Sequence, residues 1–90
     1  METPLKILLA DDHRLFAEGL IYIIQKNFPD AEITTSDSGD DAWIKISSAQ
    51  PFDLLITDLS MPGMNGIELT TKVKAHYPGI KVLVLTMHNE

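Results

Sequence analysis

The sequence predicts an α/β fold: a parallel sheet with helices on both faces. Three observations carry this. Short, nearly continuous apolar runs recur, as in "LKILLA", "DLLIT" and "KVLVLTM". Between them lie longer stretches whose apolar residues return at helical spacing. The connections are brief and marked by Pro, Gly, Asp and Ser. Strands that alternate with helices in this way pair in parallel, because each crossover helix carries the chain back to the same end of the sheet.

Residues 5–10 form the first strand, an apolar run broken only by Lys6 and so suited to burial on both faces. Residues 13–27 form a helix with Phe16, Leu20, Ile23, Ile24 and Phe28 as its apolar set, ended by Pro29-Asp30. Residues 31–35 give a short β-branched strand through Ile33, Thr34 and Thr35. Ser38-Gly39 is a turn. Residues 40–49 form a helix with Ala42, Ile46 and Ala49 on one face, and Asp40 and Asp41 suit the positive end of its dipole. Gln50-Pro51 stops it. Residues 53–57 make a third strand, and residues 60–66, with one Pro and two Gly, a loop. Residues 67–77 form a third helix closed by Pro78-Gly79, and residues 81–87 a fourth strand.

The chain has 90 residues, room for one domain. Hydrophobic residues make up 44% and charged residues 22%, as in a soluble globular domain. Seven basic against thirteen acidic residues leave a net charge of −6, which opposes a nucleic-acid or anionic-membrane surface and favours a site that holds a cation. Cysteine is absent, which removes disulfides and thiolate metal sites and suits the cytoplasm. Neither a leader pattern nor a membrane-length apolar run is visible.

In a parallel sheet the carboxyl ends of the strands share one rim, and ligands bind there. Asp11 and Asp12 end the first strand, Asp58 the third and Thr86 the fourth. If strands one, three and four are neighbours, the four residues meet. Carboxylates brought together need a counter-charge. Oxygen ligands without cysteine favour Mg²⁺, or Mn²⁺ in its place, and Mg²⁺ combines one or two protein carboxylates with phosphate oxygens. One Asp could then attack phosphorus to form an aspartyl-phosphate, while the Thr86 hydroxyl bonds a phosphoryl oxygen. The plainer reading makes strand-end acids solvated caps. It weakens when three acids each follow an apolar strand.

"ILLADDHRLFAEGL" and "DLLITDLSMPGMNG", followed by "VLVLTMH", resemble the receiver domain of bacterial two-component response regulators. Within that family they are most similar to the branch that carries a LuxR-type helix-turn-helix. The resemblance spans residues 1–90. It implies the flavodoxin-like (CheY-like) fold, strand order 2-1-3-4-5. It implies that Asp58 is the phosphoacceptor for a sensor histidine kinase. It implies that Asp11, Asp12 and Asp58, with the main-chain carbonyl of Ser60, hold Mg²⁺. It implies that Thr86 is the switch hydroxyl, and that the domain serves transcription without being an enzyme in its own right.

The family pattern continues with a fourth helix, a fifth strand bearing a Lys that pairs with the phosphoryl group, and a fifth helix. The chain is therefore expected to lack the last βα part, with DNA contact only through a C-terminal domain outside it. Lys81 cannot take the Lys role, since it begins strand four at the opposite end of the sheet. An unpaired edge on strand four would favour a homo-oligomer, by pairing along residues 81–87 or by exchange of segments.

His13 follows the two acids and could be a third ligand, but neighbouring residues at a strand end diverge, and it is expected instead to start the first helix. His76 and His88 are expected at the surface. Ser60 and His88 fall, by resemblance, at variable positions that tune dephosphorylation. Met61, Met64 and Met87 flank the site, with Met87 partly covering Thr86, and Trp43 is expected to pack against a neighbour. Two rival readings are a metal-dependent phosphohydrolase and a phosphate-independent interaction module. The first would show a second Asp two residues after the nucleophile, where Ser60 stands. The second fits poorly with a full set of Asp11, Asp12, Asp58 and Thr86.

Overall fold

A computed structural model describes residues 3–48 and 51–86. The elements are β1 (Lys6–Ala10), α1 (Arg14–Asn27), β2 (Glu32–Ser36), α2 (Gly39–Ser48), β3 (Leu54–Asp58), α3 (Gly66–His76) and β4 (Lys81–Leu85). The strands form one sheet in the order β2-β1-β3-β4, with every described pair parallel. This is the fold expected from the sequence, and β1, β3 and β4 are neighbours.

The continuous apolar runs are explained by two cores. Alternate residues of a strand point to opposite faces. Leu8, Ala10 and Leu55 join Ala42 and Ile46 of α2 and Leu69 and Val73 of α3 on one face. Ile7, Leu9 and Ile56 meet Ala17 of α1 on the other, with Leu20, Ile21 and Ile24 packed around them. Leu8, Leu55, Leu69 and Val73 are fully buried, and each such side chain stabilises the fold by roughly 1.5–3 kcal/mol.

The face of α1 differs from expectation. Ile23 and Phe28 are more than half exposed. The buried set is 17, 20, 21 and 24. At about 100° per residue, position 23 lies about 120° round the helix from Ala17, and Phe28 has left helical geometry as the C-cap. The apolar count of the sequence thus exceeds what one face can bury. Other bounds shift by one residue: β2 and β3 each begin and end one residue later than expected, and α2 and α3 each begin one earlier. β4 ends at Leu85, whereas Met87, Ala49, Gln50 and His88 lie outside the described residues.

Helix starts are set by local hydrogen bonds. Ser38 Oγ accepts from the Asp41 N–H at 3.0 Å at the start of α2. Asn65 and Glu68 form a reciprocal capping box on α3: the Asn65 side chain accepts from the Glu68 N–H at 2.8 Å, and the Glu68 carboxylate accepts from the Asn65 N–H at 3.0 Å. Trp43 of α2 is half-buried against α3, edge-on to Tyr77 at 5.8 Å and beneath the Lys72 ammonium at 4.9 Å, so it packs against a neighbour as expected. Met61 and Met64 pack against the first core, and His76 is exposed.

The start of α2 is pressed against the β3–α3 loop. Asp40 Oδ2 accepts from the Met64 N–H at 3.3 Å. A Cβ on Gly39 would overlap the Met64 carbonyl oxygen, a backbone atom that cannot swing away. Gly19, in the middle of α1, meets nothing within 4 Å. The two glycines therefore respond oppositely to alanine. Gly39→Ala is expected to lower stability by about 1–3 kcal/mol through overpacking. Gly19→Ala is expected to raise it by about 0.5–1 kcal/mol, by removing backbone freedom from the unfolded chain. Urea midpoints of the two variants check both signs.

Candidate functional site

The parallel pairing of β1 with β3 builds the site. Ala10 pairs with Thr57, so the next residue on each strand, Asp11 and Asp58, come side by side at the carboxyl rim. Asp11 extends the ladder on its other side, where its N–H donates to the Ser36 carbonyl at 2.9 Å. Both acids are buried, with side chains 1% and 2% exposed; that of Asp12 is 34% exposed. Oδ2 of Asp11 and Oδ2 of Asp58 are buried with no hydrogen-bond partner. A buried carboxylate oxygen left so is costly. The pair therefore marks a place where a cation is wanted.

His13 starts α1 as its N-cap, as the sequence predicts, but its ring does not diverge from the acids: it lies among them. Nδ1 is 3.1 Å from Asp11 Oδ1, 3.2 Å from Asp12 Oδ1 and 3.3 Å from Asp58 Oδ2. Ligand-type atoms of Asp11, Asp12, His13 and Asp58 all fall within 4.8 Å of one another. The cause is local. His13 is the N-cap of α1 with extended backbone, φ −97° and ψ 92°. Its own N–H donates to Asp11 Oδ1 at 2.8 Å. That bond folds the turn back over the rim, and the ring follows.

The acids act on His13 in turn. Its hydrogen bond to Asp11 raises the imidazole pKa above the ordinary 6.5, desolvation opposes this, and the charges of Asp12, Asp11 and Asp58 add to the rise. The other site residues stand on the same rim. Ser60, two residues past Asp58, is exposed. Thr86 is exposed and directly follows Leu85, whose carbonyl accepts from the Leu59 N–H at 2.9 Å. Gly66 lies against the Asp58 carbonyl so closely that a Cβ would overlap it. Its N–H donates to the Leu59 carbonyl at 2.9 Å, which holds the start of α3 onto the end of β3.

The donor set fits a hard divalent cation: three carboxylates, two of them with a buried unpartnered oxygen. Chemically the arrangement offers two buried carboxylates, Asp11 and Asp58, beside a place suited to a cation.

The description "Response regulator receiver domain" matches residues 7–90. The chain is 34% identical to the transcriptional regulatory protein DegU of Brevibacillus brevis over 90 residues, covering 99% of this chain and 37% of that protein. It is 39% identical to the oxygen regulatory protein NreC of Staphylococcus carnosus over 89 residues, covering 96% of this chain and 40% of that protein. The chain thus spans well under half the length of these curated relatives. Among solved structures, the response regulator protein TrrA of Thermotoga maritima, in complex with Mg²⁺–BeF, superimposes with TM-score 0.85 at 30% identity, covering 94% of this chain and 71% of that one.

In metal-free protein, NMR titration of His13 is expected to give a pKa above 6.5, and Asp11→Asn should move it back down. The sign for stability follows. A pKa raised by folding contributes stability that is fully present below about 6.5 and is lost as pH rises through the folded-state value.

Proposed function

The chain belongs to the response regulator receiver domain family, and from that premise we propose that Asp58 accepts a phosphoryl group from a sensor histidine kinase. Asp11, Asp12, Asp58 and the main-chain carbonyl of Ser60 would hold Mg²⁺ for the transfer. The observation that carries this reading is the pair of buried oxygens on Asp11 and Asp58, neither with a hydrogen-bond partner, at one sheet rim. It calls for a cation next to a carboxylate that can act as nucleophile.

In the step itself, a carboxylate oxygen of Asp58 attacks phosphorus. The new O–P bond forms as the P–N bond to the donor imidazole breaks, and the donor nitrogen leaves with the electron pair of that bond. Burial at the end of β3 holds the Asp58 carboxylate in one orientation for in-line attack. The bound cation would neutralise charge on the phosphoryl oxygens. Thr86, next after β4 on the same rim, would donate its hydroxyl hydrogen to a phosphoryl oxygen and report the modification to the surface around β4. The domain is thus a phosphoacceptor that takes part in its own labelling and release, not an enzyme acting on other molecules.

The relatives named above are regulatory proteins, DegU of transcription by its name. We infer that the signal received here also serves transcription, with DNA contacted by an output domain and not by this acidic chain. Among the described residues no helix is long and apolar enough to cross a membrane, and we place the domain in the cytoplasm. A phosphohydrolase gains no support, since Ser60 occupies the position of its acid-base Asp. An interaction module that never takes phosphate leaves the buried pair of acids without a purpose.

Labelling by a small-molecule phosphodonor or a cognate kinase, read by intact mass, tests the reading. Asp58→Asn should abolish the label, and Thr86→Ala should keep it while weakening the conformational response. Chelation of Mg²⁺ should slow labelling by on the order of 10²-fold. Undiminished label on Asp58→Asn would overturn the assignment.

A further inference from the structure

We propose that His13 Nδ1 is itself a ligand of the cation at this rim, and that it biases the site toward Mn²⁺, Co²⁺ and Zn²⁺ relative to Mg²⁺. The inference rests on the reading above only in requiring that Asp11, Asp12 and Asp58 hold a divalent cation. It adds a nitrogen donor to what is otherwise an all-oxygen set.

Convergence is the first argument. A single ring nitrogen faces oxygens of three carboxylates, at 3.1, 3.2 and 3.3 Å. Nδ1 carries one proton or one lone pair, and only the Asp11 contact has hydrogen-bond geometry. Hydrogen bonding accounts for one of the three approaches, and charge attraction for the other two in metal-free protein. The same convergence suits ligands around a shared ion. Donors about 2.0–2.1 Å from a shared ion lie roughly 2.8–3.0 Å from one another at octahedral angles and roughly 3.3–3.4 Å at tetrahedral ones. The three observed spacings span the interval between these geometries.

The second argument is independent of the ring. Asp11 Oδ2 is buried and lacks any hydrogen-bond partner, so the protein leaves acceptor capacity open at this spot. The third is what His13 does not do. It is the N-cap of α1, yet its side chain makes no capping bond to the helix. The ring is free to serve the cluster, and its Nε2 side can bond water.

Imidazole suits Mn²⁺, Co²⁺ and Zn²⁺, with affinity rising toward the later ions, whereas Mg²⁺ takes oxygen and retains its waters. A site of carboxylates alone already favours the later ions. The signature of His13 is therefore the change in that preference when the ring is removed.

The test compares Zn²⁺ and Mg²⁺ affinities by calorimetry for the unaltered chain, His13→Ala and His13→Asn. The Asn variant retains a side chain able to cap α1 but has no imidazole. Circular dichroism confirms folding, and Asp58→Asn separates this site from others. The Zn²⁺-to-Mg²⁺ affinity ratio is expected to fall at least about tenfold in both His13 variants. In the unaltered chain, Zn²⁺ should shift the ¹⁵N resonance of His13 Nδ1 more than that of Nε2. An unchanged ratio, or a His13 nitrogen that does not respond to Zn²⁺ while Asp58 does, would overturn the ligand role and leave the metal site standing. Failure of every divalent cation to bind at Asp11, Asp12 and Asp58 would overturn both.

Discussion

The pairing of β1 with β3 is the constraint on which the rest depends. It is held by apolar burial on both faces, with Leu8 and Leu55 on one side and Ile7, Leu9 and Ile56 on the other. Its register, Ile7 with Leu54 through Ala10 with Thr57, leaves Asp11 and Asp58 as the next residues in line. Two carboxylates would not choose to be neighbours in a buried place, since desolvation and mutual repulsion both oppose their charges. They are neighbours because the strands beneath them cannot slip. A slip of one residue would turn every inward side chain of β1 to the other face. The core thus imposes the electrostatic tension, and the tension defines the site.

The backbone around the acids is fixed by close contact rather than by charge. Gly66 lets the start of α3 rest on the Asp58 carbonyl, and Gly39 lets the start of α2 rest on the Met64 carbonyl. The Asn65–Glu68 box satisfies the N–H groups of both its residues at the start of α3. The loop that carries Ser60 is therefore braced by two helix starts. The ligand role proposed for the Ser60 carbonyl needs a held backbone, and these contacts supply the hold.

Much of this was legible in the sequence. Strand runs without alternation announce burial on both faces, and the alternation with helical segments announces parallel pairing. From there, Asp11, Asp12 and Asp58 at one rim follow by geometry. Less legible was the face of α1, because "LIYII" is apolar almost all round and periodicity cannot say which residues win. Leu20, Ile21 and Ile24 pack on the sheet, while Tyr22 and Ile23 stay out. The capping box of α3 is present in the sequence as Asn65 and Glu68 three apart, but the loop signals of Pro62, Gly63 and Gly66 beside it are stronger.

His13 was half legible: its place after Asp11 and Asp12 offers it as a third ligand, and the rule that argues against this does not apply there. Alternation along a strand predicts divergence from Asp12, but His13 is no longer in a strand. It sits at the N-cap, where the chain changes from extended to helical and no periodicity applies. An ordinary cap there, Ser or Asp, would contribute about 1 kcal/mol to the helix through its side-chain bond. α1 does without that bond, and its first turn holds no acidic residue to meet the dipole. The side chain at the cap instead serves the three carboxylates. The helix goes without a side-chain cap at a position from which the ring reaches all three acids.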